Sequence, residues 1–221
     1  MIFFVVVCIG WVFSVCVHEF AHAVVAYLGG DRGVAEKGYL TMNPLRYAHP
    51  VYSLALPLLL VILGGVGLPG GAVYVNDGML RSRWWRAAVS LAGPAASAVM
   101  MLLFAAPFLL GVFPPGDRGE RACCAAFLVG LQASAVVLNL LPIPPLDGFR
   151  AIQPFLPLHV GHKIARYGNN LFFVLLAAMW FVQSVADAYW GTVQAILAVF
   201  GVDFDLFSMG WERFRFWTAW W

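Results

Sequence analysis

Val17-His18-Glu19-Phe20-Ala21-His22 lies inside an apolar run over residues 2–28. The run exceeds the roughly 20 residues a helix needs to cross the hydrocarbon core of a bilayer. On such a helix His18 and His22 stand one turn apart, about 40° around the axis. Both imidazoles can therefore reach one metal ion, and Glu19 can lean over the same point without being a ligand. Ionisable groups in a helix of hydrocarbon length are costly and are functional by default. A His-Glu-His hydrogen-bond cluster that staples helices together is the structural alternative.

The remaining composition agrees with a membrane setting. The chain of 221 residues is 62% hydrophobic and 11% charged, with mean hydropathy +0.83, where soluble domains carry about a quarter charged residues. The length suits one domain, residues 1–221, with a core over 1–150 and membrane or interfacial segments over 151–221. Net charge +2 gives no reason to expect a nucleic-acid partner. Cys8, Cys16, Cys123 and Cys124 show no CxxC spacing and read as small apolar residues. Met1 leads straight into the hydrophobic run without a basic leader, so no cleavable signal peptide is expected.

Along the chain, a polar stretch follows Gly29-Gly30 and includes Leu40-Thr41-Met42-Asn43-Pro44-Leu45-Arg46. Residues 51–66 are apolar but short for a span and contain Pro57, which makes a re-entrant hairpin the favoured reading. Residues 70–76 alternate beside Gly70-Gly71 and read as a short strand. Arg81, Arg83 and Arg86 with Trp84-Trp85 form a basic and aromatic membrane boundary. Residues 87–113 and 122–141 are two further clear spans, the first with a row of small residues around Ala92-Gly93-Pro94 that lets another helix approach closely. The second ends at Pro142-Ile143-Pro144-Pro145, which cannot continue a helix. Residues 170–186 read as another span and 188–200 as a further apolar stretch. The tail over 211–221, with four Trp, reads as an interfacial amphipathic piece. The expected fold is an all-α polytopic membrane protein of five or six segments, with a short β element near the site.

Loop charges suggest an orientation. With 51–66 re-entrant, one side holds Arg32, Lys37, Arg46, Arg81, Arg83, Arg86, Arg150, Lys163 and Arg166. The other keeps Arg118, Arg121, Arg213 and Arg215. The richer side is the cytoplasmic one by the positive-inside rule, and it is the side nearer His18 and His22.

Two histidines leave a tetrahedral metal short of a protein ligand, with a fourth place for water. Asp31 and Asp77 read as exposed loop residues. Asp187, between two apolar stretches, remains a candidate or a boundary marker. Asp147 is better placed, because a proline-broken helix end at membrane depth is tolerated only where it is buried in protein or lines a wet cavity. His49, His159 and His162 read as solvated or interfacial.

The pairing of His18-Glu19-Phe20-Ala21-His22 with Asn139-Leu140-Leu141-Pro142-Ile143-Pro144-Pro145-Leu146-Asp147-Gly148 resembles the site-2 protease family of intramembrane zinc metalloproteases. Leu40-Thr41-Met42-Asn43-Pro44-Leu45 and the Ala-Gly-Pro at 92–94 are similar to a compact bacterial branch without PDZ or CBS domains. The resemblance covers roughly residues 10–150. It departs at His49-Pro50, where Asp-Pro is usual, and at 71–75, where a Pro-rich stretch is usual. It implies one Zn²⁺ per chain held by His18, His22 and Asp147, Glu19 as general base, and Asn139 hydrogen-bonding substrate or oxyanion. It further implies a multi-pass protein of a bacterial inner membrane that cuts a transmembrane protein substrate within the lipid bilayer. A strand edge at 72–76 would pair with the unwound substrate helix. A membrane metal-binding or transport protein using the same ligands, and a non-proteolytic homologue, are the alternatives.

Overall fold

The computed structural model describes residues 2–43 and 73–215. Nine helices are found among them: α1 Ile2–Gly29, α2 Gly33–Glu36, α3 Arg83–Leu109, α4 Glu120–Asn139, α5 Asp147–Ile152, α6 Leu158–Arg166, α7 Gly168–Phe181, α8 Gln183–Val199 and α9 Phe204–Phe214. Three of them, α1, α3 and α4, are long and apolar enough to cross a membrane. The total is five if the bent pairs α6–α7 and α8–α9 each count as one span.

α4 is the centre. Of its span window 83% is buried, against 44% for α1 and for α3. Phe127, Leu131 and Leu138 of α4 are fully enclosed. They join Phe3, Val7 and Trp11 of α1, Met101 and Ala105 of α3, Val193 and Leu197 of α8, and Phe207 and Phe214 of α9 in one apolar core. The outward faces of α1 and α3 stay apolar, with Ile9, Phe13, Val99 and Leu103 exposed, as expected of helices that meet lipid. α3 starts at Ser82, whose hydroxyl accepts the Trp85 N–H, an N-cap placed at the basic, aromatic boundary.

Three expectations change. Among the described residues, the stretch over 73–76 forms no strand ladder. Its backbone N–H groups are taken by carboxylates instead: Val73 donates to Glu19 Oε2 at 3.1 Å and Asn76 to Asp31 Oδ2 at 2.7 Å. Asp31 is therefore not an exposed loop residue but is 2% exposed, and it also accepts from Gly33 N. The apolar run at 170–186 is broken at Val182, which is extended between α7 and α8. Alone, α7 covers only about 21 Å, short of a hydrocarbon core of about 30 Å. α8 ends at Gly201, whose φ of 68° is open mainly to glycine. The chain then turns by 110°, and α9 docks on α4. The read strand at 70–72, the segment at 51–66, the Asn-Pro-Leu stretch beyond Asn43 and residues 216–221 lie outside the described residues.

The docking of α9 depends on a small residue. A Cβ at Gly210 would come within 2.6 Å of the Cys123 carbonyl and 2.7 Å of Phe127 Cβ, whereas a Cβ at Gly191 of α8 meets nothing within 4 Å. Gly210→Leu is expected to destabilise the fold by about 1–3 kcal/mol through overpacking. Gly191→Leu is expected to leave it unchanged, read as thermal midpoints of the two purified variants in detergent.

Candidate metal centre

α1 carries His18 and His22 on one face, and α5 brings Asp147 to them after the chain has left α4 through its prolines. Gly148 lets that happen: a Cβ there would run into the carbonyls of Leu140 and Leu141 at the end of α4. The result is a compact triangle. His22 Nε2 lies 3.1 Å from His18 Nε2, and Asp147 Oδ2 lies 3.3 Å from His18 Nε2 and 3.4 Å from His22 Nε2. All three residues are buried, as is Glu19.

The outer nitrogens decide what these atoms are. His22 Nδ1 is 2.6 Å from the Val89 carbonyl oxygen, which can only accept, so Nδ1 carries the proton. In the neutral ring Nε2 is then an electron-pair donor facing the triangle. His18 Nδ1 is 2.9 Å from Ser97 Oγ, and the same tautomer is satisfied if Nδ1 donates to that hydroxyl. Three electron-pair donors this close repel one another unless a cation lies between them. Zinc–ligand distances of about 2.0–2.1 Å give a tetrahedron whose edges are about 3.3 Å. The observed 3.1, 3.3 and 3.4 Å match that figure, so the donor set fits a tetrahedral divalent metal.

α3 supplies the supports. Val89, Gly93 and Ser97 recur every four residues and so form one stripe along it. Val89 and Ser97 orient the two imidazoles, and Gly93 between them leaves the space: a Cβ there would collide with Nε2 of both histidines. Sequence reasoning found the small residues of this helix as a packing row but not their target. The spacing of four in register with His18 and His22 is the signal that could have found it.

The other candidates separate clearly. Glu19 stands beside the triangle with its carboxylate oriented by the Val73 N–H. Asn139, at the last turn of α4, is 1% exposed, and its Nδ2 has no hydrogen-bond partner among the described residues. No hydrogen bond among the described residues ties it to the three donors. Asp187 is exposed on α8 and accepts from Gln183 Nε2, so it is not at the site. His159 and His162 are exposed on α6, Asp77 is exposed in a short 3₁₀ turn, and His49 lies outside the described residues. Among the described residues, the grouping of His, Cys and acidic side chains close enough to hold a metal is His18, His22 and Asp147.

A multi-pass helical membrane protein with a buried two-histidine, one-aspartate centre is the class that fold and site define. Relatives narrow it. The chain is 42% identical over 98% of its length to "Putative zinc metalloprotease Rip2" of Mycolicibacterium smegmatis, covering 82% of that protein. It has the same identity and coverage with the protein of that name from Mycobacterium tuberculosis. It is 31% identical to "Putative zinc metalloprotease YwhC" of Bacillus subtilis over 73% of this chain and 75% of that one. No protein-family profile and no solved structure matches the chain. The chain belongs to the zinc metalloprotease family of these relatives, the site-2 protease family.

The α3 supports and the Asp31 clamp can be separated by experiment. Ser97→Ala removes the partner of His18 and is expected to weaken zinc binding by about 10–100-fold, measured by competition with a chelator. Gly93→Ala is expected to abolish zinc retention. Asp31→Ala releases Asn76 and with it the backbone that orients Glu19, so zinc content should stay at one per chain while peptide cleavage falls. Loss of zinc in that variant would show that Asp31 supports the centre itself.

Proposed function

We propose that this chain is a zinc endopeptidase that hydrolyses a peptide bond in or beside a transmembrane helix of another membrane protein. The observation that carries the reading is the depth of the triangle. His18 is about 16 Å along the helix from Gly29 and about 24 Å from Ile2. The centre therefore sits within a span rather than at its edge, and a substrate bond brought to it must enter the same layer.

His18 Nε2, His22 Nε2 and Asp147 would hold the metal. Bound there, Zn²⁺ supplies a Lewis acid that acidifies water and polarises a carbonyl. The chain's own residues do the rest. Glu19 takes the proton of the attacking water on its carboxylate and returns it to the leaving amine. The Val73 N–H holds that carboxylate in place, so its orientation does not have to be found anew at each turnover. The Nδ1–H of His22 stays on the Val89 carbonyl throughout, which keeps its Nε2 lone pair directed inward. Asn139 offers an unpartnered amide donor, suited to a carbonyl of the substrate or to charge developing on it. The extended backbone from Val73 onward lies against Glu19 and is the place where an unwound substrate strand would pair.

The location we propose is a bacterial inner membrane with the centre toward the cytoplasm. The support is the nine-to-four distribution of Lys and Arg between the two sets of loops.

Three measurements test this reading. Glu19→Gln should keep zinc and lose cleavage of a membrane-embedded substrate by several orders of magnitude, and His22→Ala should lose both. Cleavage that survives in Glu19→Gln would overturn Glu19 as the general base, and zinc binding without cleavage by the unaltered chain would instead mark a metal-binding or transport protein. For orientation, Met79, which is 56% exposed, is replaced by Cys in a background lacking the four native cysteines. An impermeant thiol reagent should label it only from the cytoplasmic side, and labelling from the opposite side would reverse the proposed topology.

A further inference from the structure

A second polar cavity, of about 180 Å³, lies beside the metal centre and takes no part in it. Asp77, Arg86, Ser90, Arg150, Gln153 and His162 are its polar lining. Two arginines and one aspartate are the charged residues of that lining. Among the described residues neither arginine forms an ion pair, and Arg86 Nε is buried without a hydrogen-bond partner. A buried donor without an acceptor costs about 1–3 kcal/mol, more where it is charged. An arrangement with surplus positive charge and an orphan guanidinium nitrogen is matched by a small anion carrying several acceptor oxygens.

We propose that this cavity binds a phosphate group. The balance of two arginines against Asp77 leaves one positive charge, which a singly charged phosphodiester neutralises, and guanidinium groups match phosphate oxygens in bidentate geometry. The volume excludes a substrate helix, whose diameter is about 10–12 Å. The surroundings favour a phospholipid as the source. The cavity opens where α3 begins, next to Trp84 and Arg83, which both lie against Phe155 at 4.7 and 5.5 Å. That is the belt of aromatic and basic residues that marks the headgroup level.

The site is one helical turn from the metal centre by two routes. Arg86 precedes by three residues Val89, whose carbonyl holds His22. Arg150 follows Asp147 by three residues. A phosphate bridging Arg86 and Arg150 therefore ties α3 to α5, the helices that orient one imidazole ligand and carry the carboxylate ligand.

The test uses the purified full-length chain in nonionic detergent, titrated with phosphatidylglycerol or phosphatidylcholine and read by native mass spectrometry. One phosphatidylglycerol per chain is expected to bind in preference to phosphatidylcholine. The double variant Arg86→Gln/Arg150→Gln should bind it about thirtyfold more weakly, since each basic residue near a headgroup contributes about 1 kcal/mol. Gly161→Phe fills the cavity without removing charge and should abolish the adduct, which keeps the test informative if the double variant does not fold. Displacement of the lipid by millimolar inorganic phosphate would show that the phosphate is the recognised group. Saturable phosphate binding without a lipid adduct would support the site with free phosphate as its source. Equal lipid binding by wild type and both variants, equal binding of the two lipids, or binding of a glutamate-rich peptide in place of lipid and phosphate would overturn the proposal.

Discussion

Three electron-pair donors held 3.1–3.4 Å apart inside an apolar bundle are the constraint to which the surrounding structure answers. In a low-dielectric interior such a group is strongly unfavourable unless a cation neutralises it and every remaining polar atom has a partner. The partners come from α3. The Val89 carbonyl and the Ser97 hydroxyl engage the outer nitrogens of His22 and His18, and Gly93 lets the helix come close enough for them to do so. The stripe of three residues thus serves the metal centre more than it serves helix packing in general. It also explains why α3 must lie against α1 at this height and in this rotation.

The same reasoning accounts for the segment that did not become a strand. An extended backbone at membrane depth exposes N–H groups that lipid cannot satisfy. Glu19 and Asp31, both from the α1 end of the chain, take the N–H groups of Val73 and Asn76. Glu19 is therefore tied to a piece of backbone 54 residues away, and Asp31 fixes the far end of that piece. The carboxylate proposed to transfer the proton and the backbone proposed to meet the substrate hold one another in place. This couples the order of the segment to the orientation of the base.

Much of this could be read from the residues alone, because the chemistry of a metal site is written in residue type and spacing. His18, Glu19 and His22 needed only a helix. Asp147 needed the observation that a proline-broken helix end is tolerated at depth only when enclosed. The spans corresponding to α1, α3 and α4 followed from length and hydropathy. What was hidden depends on a partner distant in sequence. Ser97 and Gly93 look like any small residues until the imidazoles are placed against them. Asp31 looks like a loop residue until Asn76 is found on it. The break at Val182 interrupts an apolar run without a glycine or proline to mark it. The docking of α9 depends on Gly210 meeting the Cys123 carbonyl, a contact between residues 87 positions apart.

The geometry also places the burden of precision unevenly. α1 holds three of the four residues that make up the metal donors and the proposed base on one rigid turn, so their mutual positions are set by helix geometry. Asp147 alone arrives from elsewhere, at the first turn of a six-residue helix that is too short to be stable by its own hydrogen bonds. Its position depends on what packs against α5: the carbonyl end of α4 against Gly148, and α3 along the other side. Any influence that shifts α5 relative to α3 therefore acts on the metal centre through Asp147 before it acts on either histidine. An occupied phosphate cavity between Arg86 and Arg150 would act at that joint, stabilising the one ligand that helix α1 cannot position.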